Sequence, residues 1–380
     1  MREGETMVAL PQVAADEIGL RADLLERAYD LLHKGTEGSS RKFPGAALLV
    51  GRHEKSVAPR FFGRQGPEPD AEPIRRDGTF LLASITKPVT YITGLMMVER
   101  GLVNLSDPVT KYIPDFAAHH KENVQVGHLF THTSGMPDML EKNIELRRQH
   151  APLEAFISGA ILDTMPLFPA GTNLSYQSMG TLIVAEIVQR LSGMRIRDFM
   201  QKEIFGPLGL KSTGLDSSEL ERETLVRVGI PAAQVGKDYN WNSRYWQELG
   251  APWGGMFSSP EDLAVLCQLM LNGGHYGGVR LLSRSTVEMM TRNELDYLPD
   301  LPEPIRRTQP WGLGWKLNQP FTLRPFTDLR GSELYGHGGA TGTMVWIDPP
   351  RQGFCVLLTT RNNWDYLVQV SNAVAAAFEE

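Results

Sequence analysis

From Phe80 to Arg100 the chain reads Phe-Leu-Leu-Ala-Ser-Ile-Thr-Lys-Pro-Val-Thr-Tyr-Ile-Thr-Gly-Leu-Met-Met-Val-Glu-Arg, and this stretch constrains the rest more than any other. A short apolar lead-in gives way to a helical pattern. Ile85, Val89, Ile92 and Met96 fall on one stripe, which ends at Glu99. Pro88 has no N–H to give and is tolerated only in a first turn, so the helix begins near Ser84. A serine there is ordinarily a cap, yet three positions on stands Lys87, where a capping box has glutamate or glutamine. An ammonium at the positive end of the helix dipole is also at the unfavourable end. Three residues rotate the helix by about 300°, so the hydroxyl and the amine share one edge, about 60° apart. A neutral amine beside a hydroxyl is what a lysine-activated serine nucleophile needs.

The 380 residues suffice for one large domain or two moderate ones. A net charge of −6, with basic residues scattered, argues against a nucleic-acid or anionic-membrane partner. Cys267 and Cys355 each lie among apolar residues and read as two buried thiols rather than a disulfide. The N-terminal Met-Arg-Glu-Gly-Glu-Thr-Met-Val-Ala-Leu lacks an apolar core of signal-peptide length, and no stretch has transmembrane length. A cytoplasmic protein is the expectation.

Along the chain, residues 16–34 read as a helix and Ala46–Val50 as a strand, with a second strand around Val57–Phe62 after a turn at His53-Glu54-Lys55. Most of 84–220 reads as helix and connecting loop, with helical patterns at 153–163, 178–193 and 195–205. Gly206-Pro-Leu-Gly-Leu-Lys-Ser-Thr213 has the wrong glycine spacing for a phosphate loop and reads as a helix end and turn. The segment 236–256, with Tyr239, Trp241, Tyr245, Trp246 and Trp253, is either a satellite core or a wall of a substrate pocket. Helices follow from Ser259 and over Leu282–Thr291. Beyond Trp311, strands are expected at 311–315, 334–336, 343–347 and 355–359, and a closing helix over Tyr366–Phe378. Strands near both ends with helices between suggest one sheet built from both ends and a helical insertion.

Two further stretches give Ser84-x-x-Lys87 a context: Phe168-Pro-Ala-Gly-Thr-Asn-Leu-Ser-Tyr176-Gln-Ser178 and Tyr335-Gly-His337-Gly338-Gly339-Ala340-Thr-Gly342. Gly101-Leu-Val-Asn-Leu-Ser-Asp107, His128-Leu-Phe-Thr-His-Thr-Ser-Gly135 and Gly254-Gly-Met-Phe-Ser-Ser-Pro260 extend the pattern over nearly the whole chain. The sequence resembles the serine β-lactamase and penicillin-binding protein superfamily, and within it class C β-lactamases, DD-peptidases and family VIII carboxylesterases. The resemblance implies an α/β (α+β) fold of β-lactamase/transpeptidase type: an antiparallel sheet flanked by helices, plus a mostly helical domain. The expected division is 1–80 with 296–380 for the sheet domain and 81–295 for the helical one, the active site lying between them.

By that resemblance Ser84 is the acylating nucleophile, Lys87 its base partner and Tyr176 the proton shuttle of a Tyr-x-Asn motif. A phenol holds its proton at neutral pH, so Tyr176 requires a cationic neighbour, which Lys87 would supply. The N–H groups of Ser84 and Ala340 would form the oxyanion hole, and Gly338 and Gly339 would let an edge strand approach the substrate. Two positions depart from the β-lactamase pattern. Ser178 stands in place of the asparagine that helps hold the substrate's amide side chain, and His337 in place of the lysine facing the β-lactam carboxylate. A mostly neutral imidazole binds a carboxylate less well than a fixed cation does.

The expected function is therefore an acyl-enzyme serine hydrolase, a carboxylesterase on small or short-chain esters, with Ser178, His337, Gly338 and Gly339 contacting the small-molecule substrate. The alternatives are a β-lactamase, DD-peptidase or D-aminopeptidase-type amide hydrolase, an acyltransferase, or an acylated sensor without turnover. No metal or organic cofactor is expected. His128 and His132 are spaced i,i+4 but lack the glutamate of a zinc protease motif. The Gly-x-Ser-x-Gly elbow of α/β-hydrolases is absent.

Overall fold

A computed structural model describes residues 9–38, 41–329, 331 and 333–378. The first eight residues, on which the signal-peptide reading largely rests, lie outside these. In chain order, α1 (Ala22–Thr36) precedes β1 (Gly45–Arg52), β2 (Lys55–Ser56) and β3 (Arg60–Gly63), then β4 (Thr79–Leu81) and α2 (Thr86–Glu99). Next come α3 (Val126–Phe130), α4 (Asn143–Arg148), α5 (Leu153–Ser158), α6 (Ser178–Ser192) and α7 (Ile196–Met200). After β5 (Leu225–Val226), α8 (Arg244–Glu248) and β6 (Phe257–Ser258) the chain forms α9 (Pro260–Leu271). The hairpin β7 (His275–Tyr276) and β8 (Val279–Arg280), α10 (Arg284–Thr291) and α11 (Glu303–Thr308) follow. The chain closes with β9 (Lys316–Leu317), β10 (Tyr335–Gly339), β11 (Thr343–Asp348), β12 (Gly353–Thr359) and α12 (Trp364–Ala377).

The main sheet runs β2-β1-β12-β11-β10-β9, with β3 also on β1. Every pairing in it is antiparallel. Both ends of the chain build its centre, where Ala46 pairs with Thr359 and Arg52 with Gly353. Alternation along the strands sorts their side chains onto two faces. Ala46, Leu48 and Val50 join Cys355, Leu357, Met344 and Trp346 under α1 and α12. Ala47 and Leu49 join Val356, Leu358, Val345 and Ile347 in the larger core with α2, α6 and α9. Coverage on both faces explains why these strands read as unbroken apolar runs.

Two local expectations differ from the structure. Of the strand expected over Val57–Phe62, only Arg60–Phe62 is strand, within β3, because Pro59 just before it has no N–H for the ladder. Of the expected strand at Trp311–Trp315, only Trp311 pairs, in an isolated bridge to Lys316, while β9 proper begins at Lys316. Among the described residues no helix is long and apolar enough to cross a membrane. Cys267 and Cys355 are both free, buried thiols.

Candidate active site

The helix carrying Lys87 is buried all round, not on one stripe: every residue from Thr86 to Met97 is buried. Its threonines remove their own polarity. Thr90 Oγ1 donates to Pro252 O at 2.6 Å, and Thr93 Oγ1 to Thr90 O at 2.6 Å. Thr86 Oγ1 donates to Ala83 O at 2.6 Å and accepts from Met256 N at 3.1 Å. Ser84 is not a cap; it lies in a single 3-10 turn, Ala83–Ile85, between β4 and the helix. Ala83 takes a positive φ of 49°, which costs energy in a non-glycine residue and sets the sharp bend that presents Ser84.

Lys87 is fully buried, and its Nζ donates to Ser84 Oγ at 3.1 Å and to Trp253 O at 2.9 Å. It also lies 4.7 Å from the centroid of the Tyr176 ring. Burial brings its pKa down to about 7, partly opposed by the charge of Asp138. The amine is thus divided between its two forms at neutral pH, as a general base should be. Burial pushes the Tyr176 phenol well above its ordinary range, an effect only partly offset by its hydrogen bond with the Ser84 hydroxyl. Lys87 is the cationic neighbour expected for Tyr176, yet burial outweighs it and the phenol holds its proton at neutral pH.

Tyr176 is held from behind. Gln177 Nε2 donates to the carbonyls of His128 and Leu129, at 3.1 and 3.0 Å, and its Oε1 accepts from Ser134 Oγ. Gln177 N donates to His132 Nδ1 at 3.2 Å, while the His132 ring lies 4.7 Å from Tyr176 and 4.4 Å from Trp311. His132 thus packs against the site's aromatic rings, while His128 Nδ1 accepts from Gln125 N at 3.2 Å, and no cluster of three metal-ligating side chains occurs among the described residues.

Opposite the serine runs β10. Thr343 Oγ1 donates to Leu82 O at 2.7 Å and Thr341 Oγ1 to Leu81 O at 2.8 Å, stitching the hairpin to the chain just before Ser84. Gly339 is required by this approach, since a Cβ there would lie 2.2 Å from Leu82 O. A Cβ on Gly338 would lie 2.5 Å from the Trp364 ring. On its outer side β10 is paired with β9 only at Tyr335 and Gly336, so His337–Gly339 lie beyond that ladder. A cavity of about 510 Å³ opens there, lined by Ser84, Tyr176, His337, Gly338, Gly339 and Ala340. Leu174, Trp311, Lys316, Leu323, Arg324, Phe326 and Trp364 also face it.

His337 is buried, and its pKa falls to about 3 through desolvation and the Lys87 charge. Its Nδ1 lies 2.9 Å from Gly338 O. A carbonyl only accepts, so in the neutral ring the proton sits on Nδ1 and Nε2, which has no protein partner, is a bare acceptor. Ser178 does not line the cavity: it is buried at the start of α6 and donates to Asp138 Oδ1 at 2.5 Å. The aromatic segment 236–256 is core here. Trp246 and Trp253 are buried in the main cluster, and none of the segment's side chains lines this cavity. It reaches the site through backbone groups, of Pro252, Trp253 and Met256, for which a sequence carries no signal.

A profile of the Beta-lactamase family matches residues 22–378. The chain belongs to the beta-lactamase family. A Salmonella typhi relative, provisionally named a D-alanyl-D-alanine carboxypeptidase, is 27% identical over 93% of this chain and 86% of its own length. A penicillin-binding protein homologue from Caulobacter crescentus superposes with a TM-score of 0.76 at 20% identity, covering 94% of this chain and 99% of that one. A family VIII carboxylesterase superposes with a TM-score of 0.70 at 18% identity, covering 93% of this chain and 98% of that one. This beta-lactamase family member is a serine hydrolase of the β-lactamase fold.

Proposed function

We propose that this family member is a carboxylesterase that hydrolyses small or short-chain esters through an acyl-enzyme on Ser84. The observation that carries the choice of ester is His337. A neutral imidazole with its proton turned to Gly338 O has only a lone pair to offer at Nε2, and a lone pair repels a carboxylate. A β-lactam carries its carboxylate within two bonds of the scissile nitrogen, close to where the strand beside the serine must accept it. Ser178, tied to Asp138, is likewise withdrawn from holding an amide side chain.

In the proposed reaction Ser84 Oγ attacks the ester carbonyl as its proton passes to Lys87 Nζ, 3.1 Å away. The oxyanion rests against the N–H groups of Ser84 and Ala340, each such donor contributing about 3 kcal/mol. Tyr176, protonated, hands its proton to the departing alkoxide and is refilled from Lys87. Water then attacks the acyl carbon, its proton returning through Lys87, and Ser84 is released.

Short-chain p-nitrophenyl esters, a chromogenic cephalosporin and a D-alanyl-D-alanine peptide should be compared on one preparation. The ester is expected to have the highest kcat/KM. A clear preference for the cephalosporin or the peptide overturns the choice of ester, and failure of a fluorophosphonate to label Ser84 overturns the mechanism.

A further inference from the structure

The amine of Lys87 is held by Trp253 O, and Trp253 belongs to the segment 236–256, whose side chains do not line the cavity. We propose that Arg147, on α4, is a positioning residue for the reaction: it clamps this segment so that the Trp253 carbonyl keeps Lys87 Nζ directed at Ser84. The proposal rests on Lys87 as the base of Ser84 and is independent of the choice of ester.

Arg147 is the one buried arginine among the described residues, and it has no acidic partner there. The partly buried Arg197 and Arg351, by contrast, pair with Asp216 and Asp348 at 2.8 and 2.9 Å. Arg147 Nη2 donates instead to a neutral carbonyl, Tyr239 O, at 2.7 Å, and the guanidinium lies 4.4 Å from the centroid of the Trp246 ring. Its Nε has no hydrogen-bond partner. Such a charge is costly to bury, and a methionine would fill much of the space without that cost. What the guanidinium adds is direction: a fixed bond to the backbone at Tyr239 and a flat face against Trp246.

From Trp246 the contact passes to the base. The Trp246 and Trp253 rings meet edge to face with centroids 6.5 Å apart, and the Phe156 ring lies 5.8 Å from Trp253. Gly254 N and Gly255 N both donate to Ala251 O, at 3.0 and 2.7 Å, so a tight turn sets the way the Trp253 carbonyl faces. That carbonyl accepts from Lys87 Nζ at 2.9 Å, and the neighbouring Pro252 O accepts from Thr90 Oγ1 on the same helix at 2.6 Å. A second tie runs from the segment to the chain after α4: Tyr245 Oη donates to Ala151 O at 2.9 Å, and its ring stacks on His150. The titratable groups that face Lys87 are Asp138, Tyr176, His132 and His337, and Arg147 is not among them. Its influence on the base therefore travels through packing rather than through its charge.

The test is Arg147→Met, with kcat expressed per Ser84 that a fluorophosphonate labels at completion, so that unfolded protein is not counted. On that scale kcat should fall about 10–100-fold, while KM stays within about twofold because the segment does not line the cavity. The limb of the pH profile near 7 should move to lower pH. A charge-assisted bond to Trp253 O favours the ammonium form of Lys87, and its loss favours the free amine. Arg147→Lys keeps a cation for Trp246 and Tyr239 O and should fall between the two; a loss as large as that of Arg147→Met overturns the clamp. A residue that only stabilises the fold would lower the melting temperature and leave per-site kcat and the limb in place, and that result overturns the clamp too. If Arg147→Met yields no labelled serine, Trp246→Phe is read in the same way. Its smaller ring should move kcat and the limb in the same directions, and no movement in either is the overturning result. Absence of a limb near pH 7 in the unaltered protein overturns Lys87 as base and the clamp with it, whereas a limb that Arg147→Met leaves in place overturns the clamp alone.

Discussion

Lys87 stands behind Ser84 and Arg324 lines the cavity in front of it, and the chain holds the two in opposite ways. Lys87 is buried in a helix with no exposed face, its ammonium fixed by a hydroxyl and a carbonyl. Arg324 is exposed on the loop after a two-residue strand, beside an exposed Leu323, and its backbone carbonyl accepts from Lys316 Nζ at 3.0 Å. The lesson is a division of labour: packing fixes the groups beside Ser84 to within tenths of an ångström, while a lightly tethered loop supplies part of the outer cavity wall. Change on the first side should be catastrophic, and change on the second should be milder.

The largest effect is expected at the nucleophile. Ser84→Ala should lower kcat/KM by about 10⁴-fold or more, with no adduct from a fluorophosphonate in the intact-protein mass. Retained activity would dissolve the contrast at once. Tyr176→Phe should cost about 10²–10⁴-fold, chiefly in kcat, because it removes a proton donor and leaves the ring packed, tilted, against His132. Gly339→Ala should cost about 10²-fold by displacing the strand from the Leu82 carbonyl, and near-normal activity would show that the seam yields more than its contacts imply.

Smaller effects sharpen the comparison. Thr343→Val breaks one buried bond of the seam and should lower the unfolding free energy by about 1–2 kcal/mol in denaturant titration. An unchanged midpoint would mean that Thr341 alone suffices as a stitch. The pH profile isolates Lys87. Below about pH 7 its amine is protonated and cannot take the serine's proton, so kcat/KM should rise with pH and level off above that value. Asp138 favours the charged form, hence Asp138→Asn should move this limb to lower pH. A limb that stays put would remove Asp138 from the electrostatics of the base.

Much of the catalytic wall could be read from the chain, because its determinants are local. Pro88 marks the helix start, Ser84 and Lys87 share its first turn, and Gly338-Gly339 mark a strand that something must approach. The central strands were legible as apolar runs for the same reason. The outer wall of the cavity was not. Lys316 and Arg324 are ordinary surface-type residues by sequence, and only the pairing of Lys316 with Gly336 places them at the cavity. Ser178 illustrates the converse: its motif position suggested contact with substrate, whereas Asp138, forty residues earlier in the chain, engages it instead. The segment 236–256 admitted two readings because burial of tryptophans says nothing of which cavity they adjoin, and the structure makes it core.

The joining of β1 to β12 has a consequence in time. Gly45 and Thr360 bond across 315 positions, and the glycines opposite Ser84 come roughly 250 residues after it. At synthesis rates of about 5–20 residues per second, the serine turn waits on the ribosome for some tens of seconds before its opposing strand exists. Until then no seam, no cavity and no pair of converging N–H groups can form, so a nascent chain that already carries Ser84, Lys87 and Tyr176 is chemically silent.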